Sequence, residues 1–362
     1  MKNQRIEYID IAKAVGMFII VYCHMLRRGT AISVLSLAVI PLFFCLSGIT
    51  FRIKENESFV SFLQKKLCTL IIPYLFAGIV SIVIYSLLGN FAADKLGVDA
   101  RSTDILPNLL NLFYANAKND TMKWNNSLWF LPCLFCITVI VWIFEKNISG
   151  NKLLVKRIAF MAITFILGQY LSQRLKLVLP LHLETSLSMI YCFEGGIILK
   201  PFLSKINAMV HDELTLTKFQ YLLISALCIV FGLSLSLLCS NKTISVRTDE
   251  YGSSLFLFII SSVLLVMGLL LLCIFFSRHK LLMINSVGQN SLCILLWNKF
   301  PVLLVQTLLP GASILSDIDS IGALLFAIIP SIICIAICMY IGFVQRRLLP
   351  LTLGENPFHG KA

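Results

Sequence analysis

"YGSSLFLFIISSVLLVMGLLLLCIFFS", residues 251–277, runs for 27 residues without one charged side chain. A bilayer's hydrocarbon core is about 30 Å thick, and about 20 helical residues cross it. Residues 251–277 therefore predict a membrane-spanning helix, and the chain holds five more runs of the same kind. Gly29–Phe51, Leu67–Ala93, Trp124–Phe144, Phe219–Asn241 and Ser320–Gln345 are each at least 21 residues long and free of charge. Composition agrees: 58% of residues are apolar and only 13% charged, against about 25% charged in soluble domains. The fold class is all-α, a polytopic transmembrane helical bundle.

Four weaker spans lie between these runs, near residues 8–26, 158–173, 185–200 and 286–308, each short or interrupted by a polar group. The sum is about ten membrane-spanning helices, with nine or eleven still compatible. The first span holds Asp10 and Lys13 and lacks a small-residue cleavage site, so it reads as a retained helix rather than a signal peptide. With ten spans, nineteen of the thirty Lys and Arg residues collect on the N-terminal side and ten on the other, with Lys299 inside a span. Under the positive-inside rule both termini are cytoplasmic. The net charge of +12 is thereby explained by topology, and no nucleic-acid partner is expected, since no soluble basic segment is present to bind one.

The chain reads as one integral-membrane domain over residues 1–362, without internal repeats. Its longest loop, at about 90–123, is expected outside the cytoplasm, and "ILPNLLNLFYAN" (105–116) within it suits a short amphipathic surface helix. Cys133 and Cys136 form a CxxC, but within an apolar helix and without a second pair or nearby histidines, so no metal is expected. Nearly all twelve cysteines fall in predicted spans, where a thiol packs as a small hydrophobe.

Ionisable groups inside a span cost free energy unless they face protein or water. Here they are Asp10, Lys13, His24, Glu194 and Lys299. Asp10 and Lys13, three apart, share a helix face. Lys13 to His24 is eleven residues, about three turns and about 16 Å, which returns to that same face. Asp10 and Lys13 also fit an interfacial ion pair at the helix entry, and His24, near Arg27 and Arg28, also fits an outer headgroup position. A histidine suits acyl transfer, because its ordinary pKa near 6.5 lets it take a proton from a hydroxyl at neutral pH. No GxSxG elbow and no HExxH helix occurs.

Lys13, ten intervening residues and His24, followed by "PLFFCLSGITF" (41–51), resemble the acyltransferase-3 family of membrane O-acyltransferases. Pro41, Phe43, Phe44, Ser47 and Gly48 stand in the P-x-F-F-x-x-S-G pattern of that family's second helix. "FLQKKLCTLIIPYLF" (62–76), "SLWFLPCLF" (127–135), "ETSLSMIYCFEGGIILK" (184–200) and "VGQNSLCILLWNKFPV" (287–302) are similar to the branch related to fucose 4-O-acetylases. One departure is Asn298, where the ninth helix of relatives often carries a histidine.

The resemblance implies a multi-pass enzyme of the bacterial cytoplasmic membrane. It would move an acyl group, most often acetyl, from cytoplasmic acetyl-CoA or another acyl-CoA to a hydroxyl of an envelope or exported carbohydrate. It implies His24 as general base, with Lys13 and Asp10 in the catalytic set, and Lys13, Lys65 and Lys66 meeting the CoA phosphates. Ser47, Trp129, Glu184, Glu194 and Asn298 become candidate substrate contacts. Ser47 also fits close helix packing, Trp129 fits an ordinary interfacial tryptophan, and Glu194 fits pairing with Lys299 or Lys13 or orienting His24. Expected partners are membrane lipid, the carbohydrate acceptor and envelope-polysaccharide biosynthesis machinery. A sugar transporter or flippase is the main alternative, and would show matching halves with broken helices; a non-catalytic scaffold derived from an acyltransferase is the second.

Overall fold

The computed structural model describes residues 6–26, 29–96, 104–212, 215–240, 242–279, 281–308 and 320–355. Arg27, Arg28 and residues 97–103 of the expected outer loop lie outside them. Among the described residues, nine helices are long and apolar enough to cross a membrane. They comprise α1 (Glu7–Met25), α2 (Thr30–Thr50), α3 (Phe59–Lys66) running through a π-helical turn at Leu67–Ile71 into α4 (Ile72–Leu96), α6 (Phe130–Asn147), α7 (Leu153–Gln169), α8 (Leu183–Asp212), α9 (Thr215–Cys239), α10 (Leu255–Phe276), and α14 (Ile321–Phe326) leading into α15 (Ile328–Leu348). Between α4 and α6 lies α5 (Ile105–Tyr114), the short helix expected at 105–116. Its Leu106, Leu110 and Phe113 are exposed while Leu112 is buried. A row of outward apolar side chains at that spacing suits a helix lying in the interfacial plane.

The expected span at 286–308 exists in pieces: α11 (Leu282–Gln289), α12 (Ser291–Trp297) and α13 (Lys299–Leu308), separated at Asn290 and Asn298. The pieces still traverse the molecule, because they follow α1 from end to end. Gly288 packs on the Asp10 backbone near the start of α1. At the other end Gln306 Nε2 donates to the carbonyls of His24 (3.0 Å) and Met25 (2.9 Å). With this broken traversal, the described residues hold ten passages through the bundle, nine of them helices long and apolar enough to cross a membrane. Backbone groups freed in lipid must find new partners, and here side chains supply them. Asn298 Nδ2 donates to Leu295 O (2.9 Å) and Asn125 Nδ2 to Leu296 O (2.9 Å).

Small residues set the helix crossings. A Cβ on Gly48 of α2 would stand 1.9 Å from Phe193 O of α8, and one on Gly196 of α8 would stand 2.1 Å from Cys45 O of α2. The two backbones therefore touch at a reciprocal pair of glycines, the close approach that small residues permit in membranes. α2 is thereby clamped to α8 on one side while its Leu42 and Phe43 meet Gly16 of α1 on the other. This arrangement holds α1, with its polar stripe, inside the bundle.

Candidate active site

Two cavities lie along the polar face of α1. The first, about 520 Å³, opens at the face where α1 begins, and its lining includes Asp10, Lys13, Ser47, Arg52, Lys65, Lys66 and Gln289. The second, about 280 Å³, is lined by Lys13, Met17 and His24 of α1 together with Phe43, Ser47, Ser127, Trp129 and Leu295. Lys13, Ser47, Leu70 and Leu134 belong to both. Leu70 sits in the π-helical turn, a local widening that often marks functional sites. The stripe inferred from spacing thus lines both cavities, with basic residues around the first and an imidazole in the second.

His24 is held tightly. Its Nδ1 lies 2.8 Å from Asn298 Oδ1, and Gln306 grips its own carbonyl. Asn298 is fully buried. Its Oδ1 also accepts from Ser127 Oγ at 3.5 Å, and its Nδ2 donates to Ile294 O and Leu295 O at 2.8 and 2.9 Å. Asn298 therefore contacts His24 directly.

Other expected site residues occupy varied places. Asp10 Oδ2 accepts from Gln289 Nε2 at 3.3 Å beside the first cavity. Ser47 Oγ donates to the carbonyl of Phe43, 2.8 Å away on its own helix, while lining both cavities. Lys66 stands over the rings of Phe51 and Phe62 at the mouth. Trp129 walls the second cavity and packs against His182 with ring centroids 5.2 Å apart. Glu194 is fully buried in α8, yet neither carboxylate oxygen has a hydrogen-bond partner among the described residues. The structure does not bring it to Lys13, Lys299 or His24. The charges bearing on it are those of Glu145 and Arg157, which are paired at 2.6 Å.

Glu184 lies apart from both cavities, in a buried charged knot at the opposite face. Its Oε1 takes Lys118 Nζ at 2.7 Å and Asn116 Nδ2 at 3.0 Å, and its Oε2 takes the Leu179 N–H at 3.1 Å. Lys118 also pairs with Asp249. Asp249 is held in left-handed backbone at φ 56° and accepts from Ser172 (2.7 Å), Thr185 (3.1 Å) and Tyr251 (3.0 Å). Burial first, then the neighbouring Asp249 carboxylate, pushes the Tyr251 phenol well up from its ordinary value. His182 Nε2 accepts the Ala117 N–H at 2.7 Å and joins this knot to Trp129. Charges this buried persist only where each is paired and hydrogen-bonded, which explains why three loops distant in sequence meet here. Sequence reading missed Lys118, His182, Asp249, Ser127 and Gln306. The available signal was that Lys118, Glu184 and Asp249 all fall on the same predicted side with compensating charge.

Among the described residues no group of three or more His, Cys, Asp or Glu side chains could hold a metal ion. No curated protein and no solved structure matches the chain. The family model for an acyltransferase domain matches residues 6–342, from just before α1 to within α15. That match takes in the walls of both cavities and nearly the whole chain, and the protein therefore belongs to the acyltransferase-3 family of multi-pass membrane acyltransferases.

Proposed function

We propose that this protein is an O-acyltransferase of the cell membrane, moving an acyl group, acetyl in the first instance, from cytoplasmic acyl-CoA to a carbohydrate hydroxyl presented from the other side. The observation that carries this reading is the pair of cavities joined at Lys13, Ser47, Leu70 and Leu134. Arg52, Lys65, Lys66 and Lys13 give the first cavity a cationic mouth suited to the phosphates of CoA. The smaller cavity beyond suits the pantetheine arm, which carries the thioester inward. His24 and Trp129 at the far end suit a sugar, with the indole offering a flat apolar face to a pyranose ring.

In the reaction the acceptor oxygen attacks the thioester carbon while His24 takes the hydroxyl proton. The tetrahedral intermediate collapses with cleavage of the C–S bond, and the proton on His24 passes to the departing thiolate. One O–acyl bond forms, one S–acyl bond breaks, and the enzyme returns to its starting protonation state.

The test expresses wild type and His24→Ala at equal membrane levels in a strain lacking the chromosomal gene, and records NMR spectra of the extracted envelope glycans. An O-acyl signal with wild type that disappears with His24→Ala is the expected result, and the displaced sugar proton identifies the acceptor. An undiminished signal in the mutant removes His24 from the chemistry. No O-acyl signal in either strain, together with failure of the purified protein to bind labelled acetyl-CoA, favours a sugar transporter instead.

A further inference from the structure

The identity of the protonated nitrogen on His24 is written into Asn298. The Asn298 amide nitrogen sits 2.8 and 2.9 Å from the carbonyls of Ile294 and Leu295. Carbonyl oxygens only accept, so the NH2 end of the amide must face them and the oxygen must face His24. The Ser127 hydroxyl, 3.5 Å from the same oxygen, is a second donor converging on it. An amide oxygen has no proton to give. The 2.8 Å contact with His24 Nδ1 is a hydrogen bond only if Nδ1 carries the hydrogen.

We propose that Asn298 is a positioning residue that locks His24 in the Nδ1–H tautomer, leaving the Nε2 lone pair free for the cavity. Nε2 has no protein partner among the described residues, and His24 lines the second cavity. The carbonyls that orient Asn298 are one turn back, so the last turn of α12 is what aims it. Gln306, eight residues further along the same traversal, holds the His24 backbone. One broken traversal thus fixes both the ring and the main chain of the histidine.

The catalytic meaning rests on the acyl-transfer reading above. A base must present a lone pair, and the imidazolium formed on proton uptake needs an acceptor for its second N–H. In Ser-His-Asp enzymes, an asparagine in place of the aspartate imposes the wrong tautomer, because its amide can donate to the histidine. Here both amide hydrogens are already engaged by backbone carbonyls, so the oxygen is what reaches His24, and the asparagine does the orienting work of a carboxylate without adding a buried charge.

The experiment is ¹⁵N NMR on detergent-solubilised protein labelled at its five histidines, with the His24 signals assigned by their loss in His24→Gln. At pH 8 the wild-type His24 is expected to carry its proton on Nδ1. In Asn298→Leu the proton moves to Nε2, and kcat falls about 100-fold, the lower end of what a positioned base contributes, with KM for acetyl-CoA changed by less than about twofold. Asn298→Asp keeps the proton on Nδ1, because a carboxylate also only accepts. A wild-type proton on Nε2, or one that stays on Nδ1 in Asn298→Leu, overturns the proposal. Should Asn298→Leu fail to fold, the wild-type and Asn298→Asp spectra decide. A tautomer that responds as stated while His24→Ala retains full acyl transfer supports the lock and defeats only the catalytic reading, so the two failures are separable.

Discussion

Tyr251 shows how much one phenol can weigh when its neighbour is a buried carboxylate. Its hydroxyl donates to Asp249 Oδ1, and burial with that charge holds the proton on. In the unfolded chain the same group ionises near pH 10. A group whose folded pKa is raised contributes stability that is complete below the unfolded value and is lost as pH rises beyond it. The melting temperature in detergent is therefore expected to fall above about pH 10, and Tyr251→Phe is expected to shrink that alkaline slope while lowering stability at neutral pH through the lost hydrogen bond. An unchanged slope in Tyr251→Phe would place the alkaline transition elsewhere. At this scale the sequence was legible for Lys13, His24 and Asn298, because one helix period and one motif place them. Lys118 and Asp249, 131 residues apart, were not legible, since no local pattern announces an ion pair between loops.

Two adjacent glycines make the case at the scale of elements. Gly196 meets the Cys45 carbonyl of α2, whereas a Cβ on Gly195 would find nothing within 4 Å. Gly196→Ala is expected to cost about 1–3 kcal/mol as the two helices are forced apart, and Gly195→Ala to leave stability within about 0.5 kcal/mol. Denaturation in mixed micelles checks both; equal effects would mean that the α2–α8 contact is not what the pair of glycines secures. The apolar runs disclosed the long helices because an unbroken stretch without charge has no other stable home. The division of residues 282–308 was hidden, since Asn290 and Asn298 read as ordinary polar interruptions. Only the folded backbone reveals the divisions, at Asn290 (φ −97°, ψ 14°) and at Asn298.

Over the whole molecule, ten traversals bring the start of α1 and the end of α15 to one face. Asp10 touches Gln289 there, and Arg346 Nη1 bonds Asn290 Oδ1 at 3.0 Å. Lys118, Glu184 and Asp249 gather at the other face. Charge counting assigns the first face to the cytoplasm. A membrane-impermeant maleimide applied to intact cells is then expected to label Lys242→Cys but not Lys54→Cys, and to label the latter after permeabilisation; both positions are exposed, and none of the twelve native cysteines is. The reverse pattern would invert the protein and move the acyl donor to the other side.

The junction shared by the two cavities has an electrical consequence. A continuous column of water through a bilayer would carry protons and cations down the membrane voltage. Among the residues the two cavities share, Leu70 and Leu134 are apolar and Lys13 is basic, the kinds of group that keep cations and protons out of water-conducting pores. If the proposed site is reached from both faces, the same lysine would serve as an insulator, and the enzyme would not discharge the membrane it sits in.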